Sequence, residues 1–154
     1  MTNPNTLPRI ALYQPDIAGN TGTILRTAAC LGYSVDIIEP AGFDMSDRNL
    51  KRAGMDYLEM ATLTRHIDWE AFAITLTNRR LVIASTKAAQ NYTGFQFTGT
   101  DTLLFGRESA GLPEHIHQLA NAAILIPMRQ GTRSLNLAVS VAMIAGEAKR
   151  QICG

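Results

Sequence analysis

Short apolar runs separated by longer amphipathic stretches set the rhythm of this chain. Ile10 to Tyr13, Val35 to Ile38, Tyr57 to Ala61, Leu81 to Ser85, Thr102 to Phe105 and Ala123 to Ile126 each read as a strand bounded by turn residues. Between the first two, Asn20 to Leu31 carries Ile24, Leu25, Ala28 and Leu31 at helical spacing, with Asn20 as the expected N-cap and Gly32 as the stop. Ser46 to Ala53, Asp68 to Leu76 and Pro113 to Asn121 are further helices, with Asp68 suited to a cap and Pro113 to a first helical position. Leu135, Leu137, Val139, Val141 and Met143 alternate in a way that would suit a strand. The segment Ser134 to Arg150 is nevertheless too long and alanine-rich for one, and is expected to be a helix. It is apolar around most of its circumference, so something must cover it, and a second subunit is a natural candidate. The alternation of strand and helix predicts an α/β fold with a mainly parallel sheet and helices on both faces.

The remaining bulk properties narrow the picture only slightly. A length of 154 residues with 46% hydrophobic content suits one domain with a proper core. Residues 1–8 read as a disordered leader and 9–154 as the domain. The apolar stretch Leu137 to Gly146 is about half of the roughly 20 residues that cross a bilayer, so no membrane segment is expected. A formal net charge of +1 neither demands nor excludes a nucleic-acid partner. Cys30 and Cys153 show no paired spacing and nothing resembles a cleavable signal peptide, which points to a reducing, cytoplasmic setting.

Candidate chemistry lies in three constellations. Asn20-Thr21-Gly22-Thr23-Ile24-Leu25-Arg26 opens a helix directly after the first strand, with Gly22 and Arg26 on one face where an RNA backbone can approach; an ordinary capped helix with a surface arginine is the plainer reading. In Phe105-Gly106-Arg107-Glu108-Ser109-Ala110-Gly111-Leu112-Pro113, Gly106 ends a strand where a ligand can touch backbone, and Glu108 can hold a ribose hydroxyl or fix an arginine. In Ile126-Pro127-Met128 through Ser134-Leu135-Asn136, Ile126 and Leu135 can sandwich a purine while Ser134 and Asn136 supply hydrogen bonds, or Ser134 can simply cap a helix. Arg48, Lys51 and Arg52 form a basic cluster suited to RNA or to a solvated face. His66, His115 and His117 lack metal-site companions, so no metal is expected, and hydrolase or phosphate-loop signatures are missing.

In order and spacing these motifs resemble the SPOUT superfamily of knotted methyltransferases, within it the SpoU/TrmH branch, over about Arg9 to Arg150. Ile37-Ile38-Glu39-Pro40-x-Gly42-Phe43, Lys51-Arg52-Ala53-Gly54-Met55-Asp56-Tyr57 and Thr64-Arg65-His66 are similar to the short subgroup that modifies the tRNA wobble nucleotide. The resemblance implies a C-terminal trefoil (α/β) knot, a connection rare by general fold rules. It implies S-adenosylmethionine as cofactor, with S-adenosylhomocysteine as product and no metal. It implies a homodimer and tRNA as the partner. Residue by residue it carries cofactor contact onto Ala84, Gly106, Ile126, Ser134 and Leu135. It carries the polar surroundings of the methyl acceptor onto Asn20, Arg26, Glu108, Ser134 and Asn136, with the catalytic role on Arg26, while Lys51 and Arg52 are candidate substrate-binding residues by their charge. The implied reaction is 2′-O-methylation of cytidine or modified uridine at position 34 of leucine tRNAs. Another tRNA or ribosomal RNA ribose, a catalytically silent RNA-binding module, and a nucleotide-binding domain with a different ligand are the alternatives. Arginine is a poor general base at neutral pH, so Arg26 is given the role of orienting the hydroxyl and stabilising negative charge, with a depressed pKa left open. The subgroup commonly has tyrosine where this chain has Gly146, and often an aromatic residue where Lys149 stands.

Overall fold

A computed structural model describes residues 6–52 and 54–154. In chain order the elements are β1 (Arg9–Tyr13), α1 (Ala18–Leu31), β2 (Val35–Ile38), α2 (Asp47–Arg52), α3 (Tyr57–Ala61), β3 (Leu63–His66), α4 (Trp69–Ala73), β4 (Arg80–Ala84), β5 (Gln90–Asn91), β6 (Asp101–Phe105), α5 (Glu114–Leu119), β7 (Ala122–Leu125) and α6 (Leu137–Cys153). The sheet runs β3-β2-β1-β6-β4-β7-β5, and its pairs are parallel. Because both faces of a parallel sheet are covered, its strands read as continuous apolar runs, and all five residues of β6 are buried. Two apolar clusters result. One gathers Ile24, Leu25, Val141, Ile144 and Ala145 with the strands, and the other gathers Phe72, Leu112 and Ile116.

Several elements depart from the sequence expectation. Tyr57–Ala61 is a helix, not a strand: the Asp56 carboxylate accepts from the Glu59 N–H while the Glu59 carboxylate accepts from the Asp56 N–H. This reciprocal cap satisfies two orphan donors and nucleates a helix, so the strand is displaced to Leu63–His66. Asn20 does not cap α1, which begins at Ala18 after Ile17 with no side-chain cap. The Gly32 stop is as expected, with φ 89°. The last helix starts at Leu137, because the Asn136 side chain accepts from the Ala138 and Val139 N–H groups; Ser134 lies before it. Asp68 caps α4, which tightens into a 3-10 turn at Ile74–Leu76, while Pro113 precedes α5. The two-residue edge strand Gln90–Asn91 was too short to show any period.

Residues Met1 to Asn5 of the expected leader and Ala53 of the expected second helix lie outside the described residues. Leu7 packs against the larger core cluster and Pro8 is buried. α6 packs across α1. The buried Tyr33 hydroxyl donates to the Ala145 carbonyl at 2.6 Å, and Lys149 Nζ donates to the Leu31 carbonyl at 2.7 Å. Lys149 thereby satisfies a carbonyl at the C-terminus of α1.

Candidate active site

Register alone brings the three constellations to one edge. Leu12 pairs with Phe105, Phe105 with Ala84 and Ala84 with Ile124, so these four strands end in one row. The loops that follow leave from the same carboxyl edge, the side on which open α/β sheets bind their ligands. A cleft of about 580 Å³ opens there, within the range of small-molecule sites. Ala84, Gly106, Ile126, Ser134 and Leu135 all line it, together with Asn20, Glu108 and Asn136. The backbone at 126–129 and 132–136 is in no helix or strand, and Leu135 and Met128 are 40% and 39% exposed. The cleft therefore offers apolar surface beside backbone that no ladder consumes.

Gly106, besides lining the cleft, is required by its own loop. A Cβ there would collide with the backbone of Gly111 and stand 2.7 Å from the Leu112 nitrogen. The loop after β6 thus returns onto its own start, closed by the Gly111 N–H donating to the Arg107 carbonyl at 2.9 Å and by φ +67° at Gly111.

Asp16, which the sequence reading did not single out, fastens this loop to the one after β1. Its carboxylate accepts from Arg107 Nη2 at 2.6 Å, from the Ser109 N–H at 3.0 Å and from Ser109 Oγ at 2.6 Å. Glu108 Oε2 in turn accepts from the Asp16 N–H at 2.8 Å. Hydrogen bonding from Arg107, then from Ser109, holds the Asp16 carboxyl down at about 2 from an ordinary 3.8. A depressed carboxylate adds stability above its unfolded-state value, and that stability is lost as pH falls through the folded value. Chemical denaturation midpoints of the wild type are therefore expected to fall more steeply than those of Asp16→Asn between pH 4 and pH 2, with the two curves parallel above pH 5.

The remaining predicted residues divide into two groups. Asn136 Nδ2 donates to Asn20 Oδ1 at 2.9 Å, so these two form one polar ledge on the cleft wall. Arg26, Lys51 and Arg52 lie outside the cleft lining. Arg26 is six residues beyond Asn20, about 9 Å further along α1 at 1.5 Å per residue. Its Nε donates to Glu59 Oε1 at 2.7 Å, and this bond raises the Arg26 pKa above its already high value. The depressed value left open from sequence is thus overturned, because a carboxylate partner favours the charged form. Beside Gly22, Met55 Cε lies 3.4 Å from where a Cβ would stand. Lys51 and Arg52 are exposed at the end of α2. The one signal for Glu59 in the sequence was the Asp-x-x-Glu spacing of a capping box.

A profile of the SpoU rRNA methylase family matches residues 8–146. The chain belongs to the SpoU methylase family. It is 57% identical over 145 residues to a tRNA (cytidine(34)-2′-O)-methyltransferase of Beijerinckia indica, covering 93% of this chain and 91% of that one. A solved structure reported as giving structural insights into the 2-OH methylation of C/U34 on tRNA superposes with a TM-score of 0.87 at 41% identity, covering 97% of this chain and 92% of that chain. The SpoU methyltransferase AviRb of Streptomyces viridochromogenes, in complex with the cofactor AdoMet, gives a TM-score of 0.82 at 25% identity, covering 95% of this chain and 58% of that chain. The parallel sheet with helices on both faces is accordingly the SpoU methyltransferase fold. The residues of this SpoU chain also suit such a cofactor. Besides its apolar surface, the cleft region holds two buried polar atoms, Glu108 Oε1 and Arg107 Nε, with no hydrogen-bond partner in the protein.

Proposed function

We propose that this chain is an S-adenosylmethionine-dependent methyltransferase that modifies the ribose 2′-oxygen of tRNA nucleotide 34, cytidine or modified uridine, in leucine tRNAs. The observation that carries this reading is the cleft, where Ala84, Gly106, Ile126, Ser134 and Leu135 converge from separate stretches of chain. S-adenosylmethionine, when bound, supplies an electrophilic methyl carbon that needs no metal. Ile126 and Leu135 would hold the adenine between apolar side chains, and the backbone of the 126–128 and 134–136 loops would supply hydrogen bonds to it. The C-terminal chain carrying these loops forms the trefoil knot of the family.

Asn20, Glu108 and Asn136 surround the acceptor ribose, and Lys51 and Arg52 hold RNA phosphates. Arg26 orients the 2′-hydroxyl and its neighbouring phosphate and stabilises the negative charge that develops on the attacking oxygen. Its raised pKa supports this role over that of proton acceptor. Leu135, Val139 and Met143 are 40%, 46% and 37% exposed, and Val139, Met143 and the open-faced Gly146 fall on one stripe of α6. A second copy of the chain covers this stripe in a homodimer, in the cytoplasm where tRNA is processed. With no Cβ at Gly146, the partner approaches α6 more closely there than in relatives with tyrosine.

Nucleoside mass spectrometry of tRNA tests the reading. Cells lacking this chain are expected to lose 2′-O-methylation at nucleotide 34 of leucine tRNAs and to regain it with the wild-type chain. Unchanged methylation at that ribose would remove the assignment.

A further inference from the structure

Among the described residues, Glu59 is a buried carboxylate outside the cleft that binds a residue of the proposed reaction. Its side chain is 5% exposed, whereas that of Arg26 is 67% exposed. A buried carboxylate is costly unless its oxygens are occupied, and both of these are. Oε2 accepts from the Asp56 N–H at 3.1 Å, and Oε1 accepts from Arg26 Nε at 2.7 Å. The first bond belongs to the capping box of α3, closed from the other side by Asp56 Oδ1 accepting from the Glu59 N–H at 2.8 Å. A capping box by itself needs only one of the two carboxylate oxygens. The second is turned on Arg26.

The way Arg26 is held matters as much as its partner. Among the described residues its guanidinium makes its hydrogen bond through Nε, which leaves both terminal amino groups for a ligand. Those two groups form the fork that matches a phosphate or a developing oxyanion. The partner of Arg26 is tied to the core. Met55, 5% exposed, wedges against Gly22 one turn before Arg26 and anchors the α2–α3 connection to α1. An exposed arginine would otherwise sample many rotamers and lose that entropy at each turnover.

We propose that Glu59 is a positioning residue, which grips Arg26 by Nε so that its two terminal amino groups are presented, preformed, to the RNA. This rests on the reading of Arg26 as the residue that orients the acceptor. Glu59→Gln is the informative change, because an amide has one oxygen and can serve the Asp56 N–H or Arg26 Nε but not both. With purified full-length chain and tRNA substrate, Glu59→Gln is expected to lower kcat about 30-fold, since misplacement by about 1 Å costs on the order of a hundredfold. KM for tRNA and affinity for S-adenosylhomocysteine should stay as in wild type.

Asp56→Ala, which breaks the cap but leaves the carboxylate on Arg26, is expected to lower the melting temperature and keep kcat. Added to Arg26→Ala, Glu59→Gln should cause no further loss, as for two residues acting as one unit. Wild-type kcat in Glu59→Gln, alongside an inactive Arg26→Ala, overturns the proposal alone; wild-type kcat in Arg26→Ala overturns the underlying reading of Arg26. If Glu59→Gln does not fold, Glu59→Asp, which withdraws the carboxylate by one methylene, should show the same fall in kcat. Wild-type kcat there overturns the proposal equally.

Discussion

Arg26→Ala is expected to lower the single-turnover rate of methyl transfer to tRNA by roughly 10²–10³-fold, the usual loss when one charge-stabilising donor is removed. The guanidinium stands outside the cleft lining, so calorimetric affinity for S-adenosylhomocysteine should be unchanged. No interior packing is lost either, because the side chain is 67% exposed, and the melting temperature should fall only by what Glu59 loses as its partner disappears. A loss of activity matched by a loss of cofactor binding would place Arg26 in the fold of the site instead of in its chemistry. Raising the pH should not rescue the variant. Arg26 stays protonated across the working range, and the Glu59 hydrogen bond only strengthens that state.

Gly106→Ala is expected to abolish measurable binding of S-adenosylhomocysteine, although it adds a single methyl group. That methyl has nowhere to go, since it meets the backbone of Gly111 and the Leu112 nitrogen instead of a side chain that can swing aside. The loop must open, which pulls Arg107 and Ser109 away from Asp16 and spreads the wall that Glu108 shares. Overpacking of this kind costs about 1–3 kcal/mol, visible as a lower denaturation midpoint. Gly111→Ala is the useful contrast. Its Cβ would meet nothing within 4 Å, so only the left-handed backbone at φ +67° is strained, at a cost of about 1–2 kcal/mol. Binding retained in Gly106→Ala would show that the loop can relax without disturbing the cleft.

Glu59 and Tyr57–Ala61 show where sequence reading stopped. A run of Tyr, Leu, Glu, Met and Ala has no clear period over five residues, and its aromatic start suits a strand. The structure settles the matter through a hydrogen-bond pair between Asp56 and Glu59, which local propensity does not weigh. Asn20 shows the converse. It is a fine capping residue by type, but α1 starts two residues earlier and the side chain accepts from Asn136, 116 positions away. Asp16 was missed because nothing in its neighbourhood signals partners in the loop after β6.

Legible along the chain were the α/β class, most strand and helix positions, and the three segments that meet in the cleft. Those depend on local periodicity, on turn residues and on motif order, which are written along the chain. Tertiary structure alone decided which strands lie side by side, that Asp16 locks two loops, that Gly106 is required by its own loop, and that Arg26 is gripped by Glu59. The Asp16 and Glu59 contacts join groups distant in sequence at 2.6–3.0 Å, and hydrogen bonds of that kind leave no period to read; the closure on Gly106 is local but depends on a backbone path that residue types do not spell out.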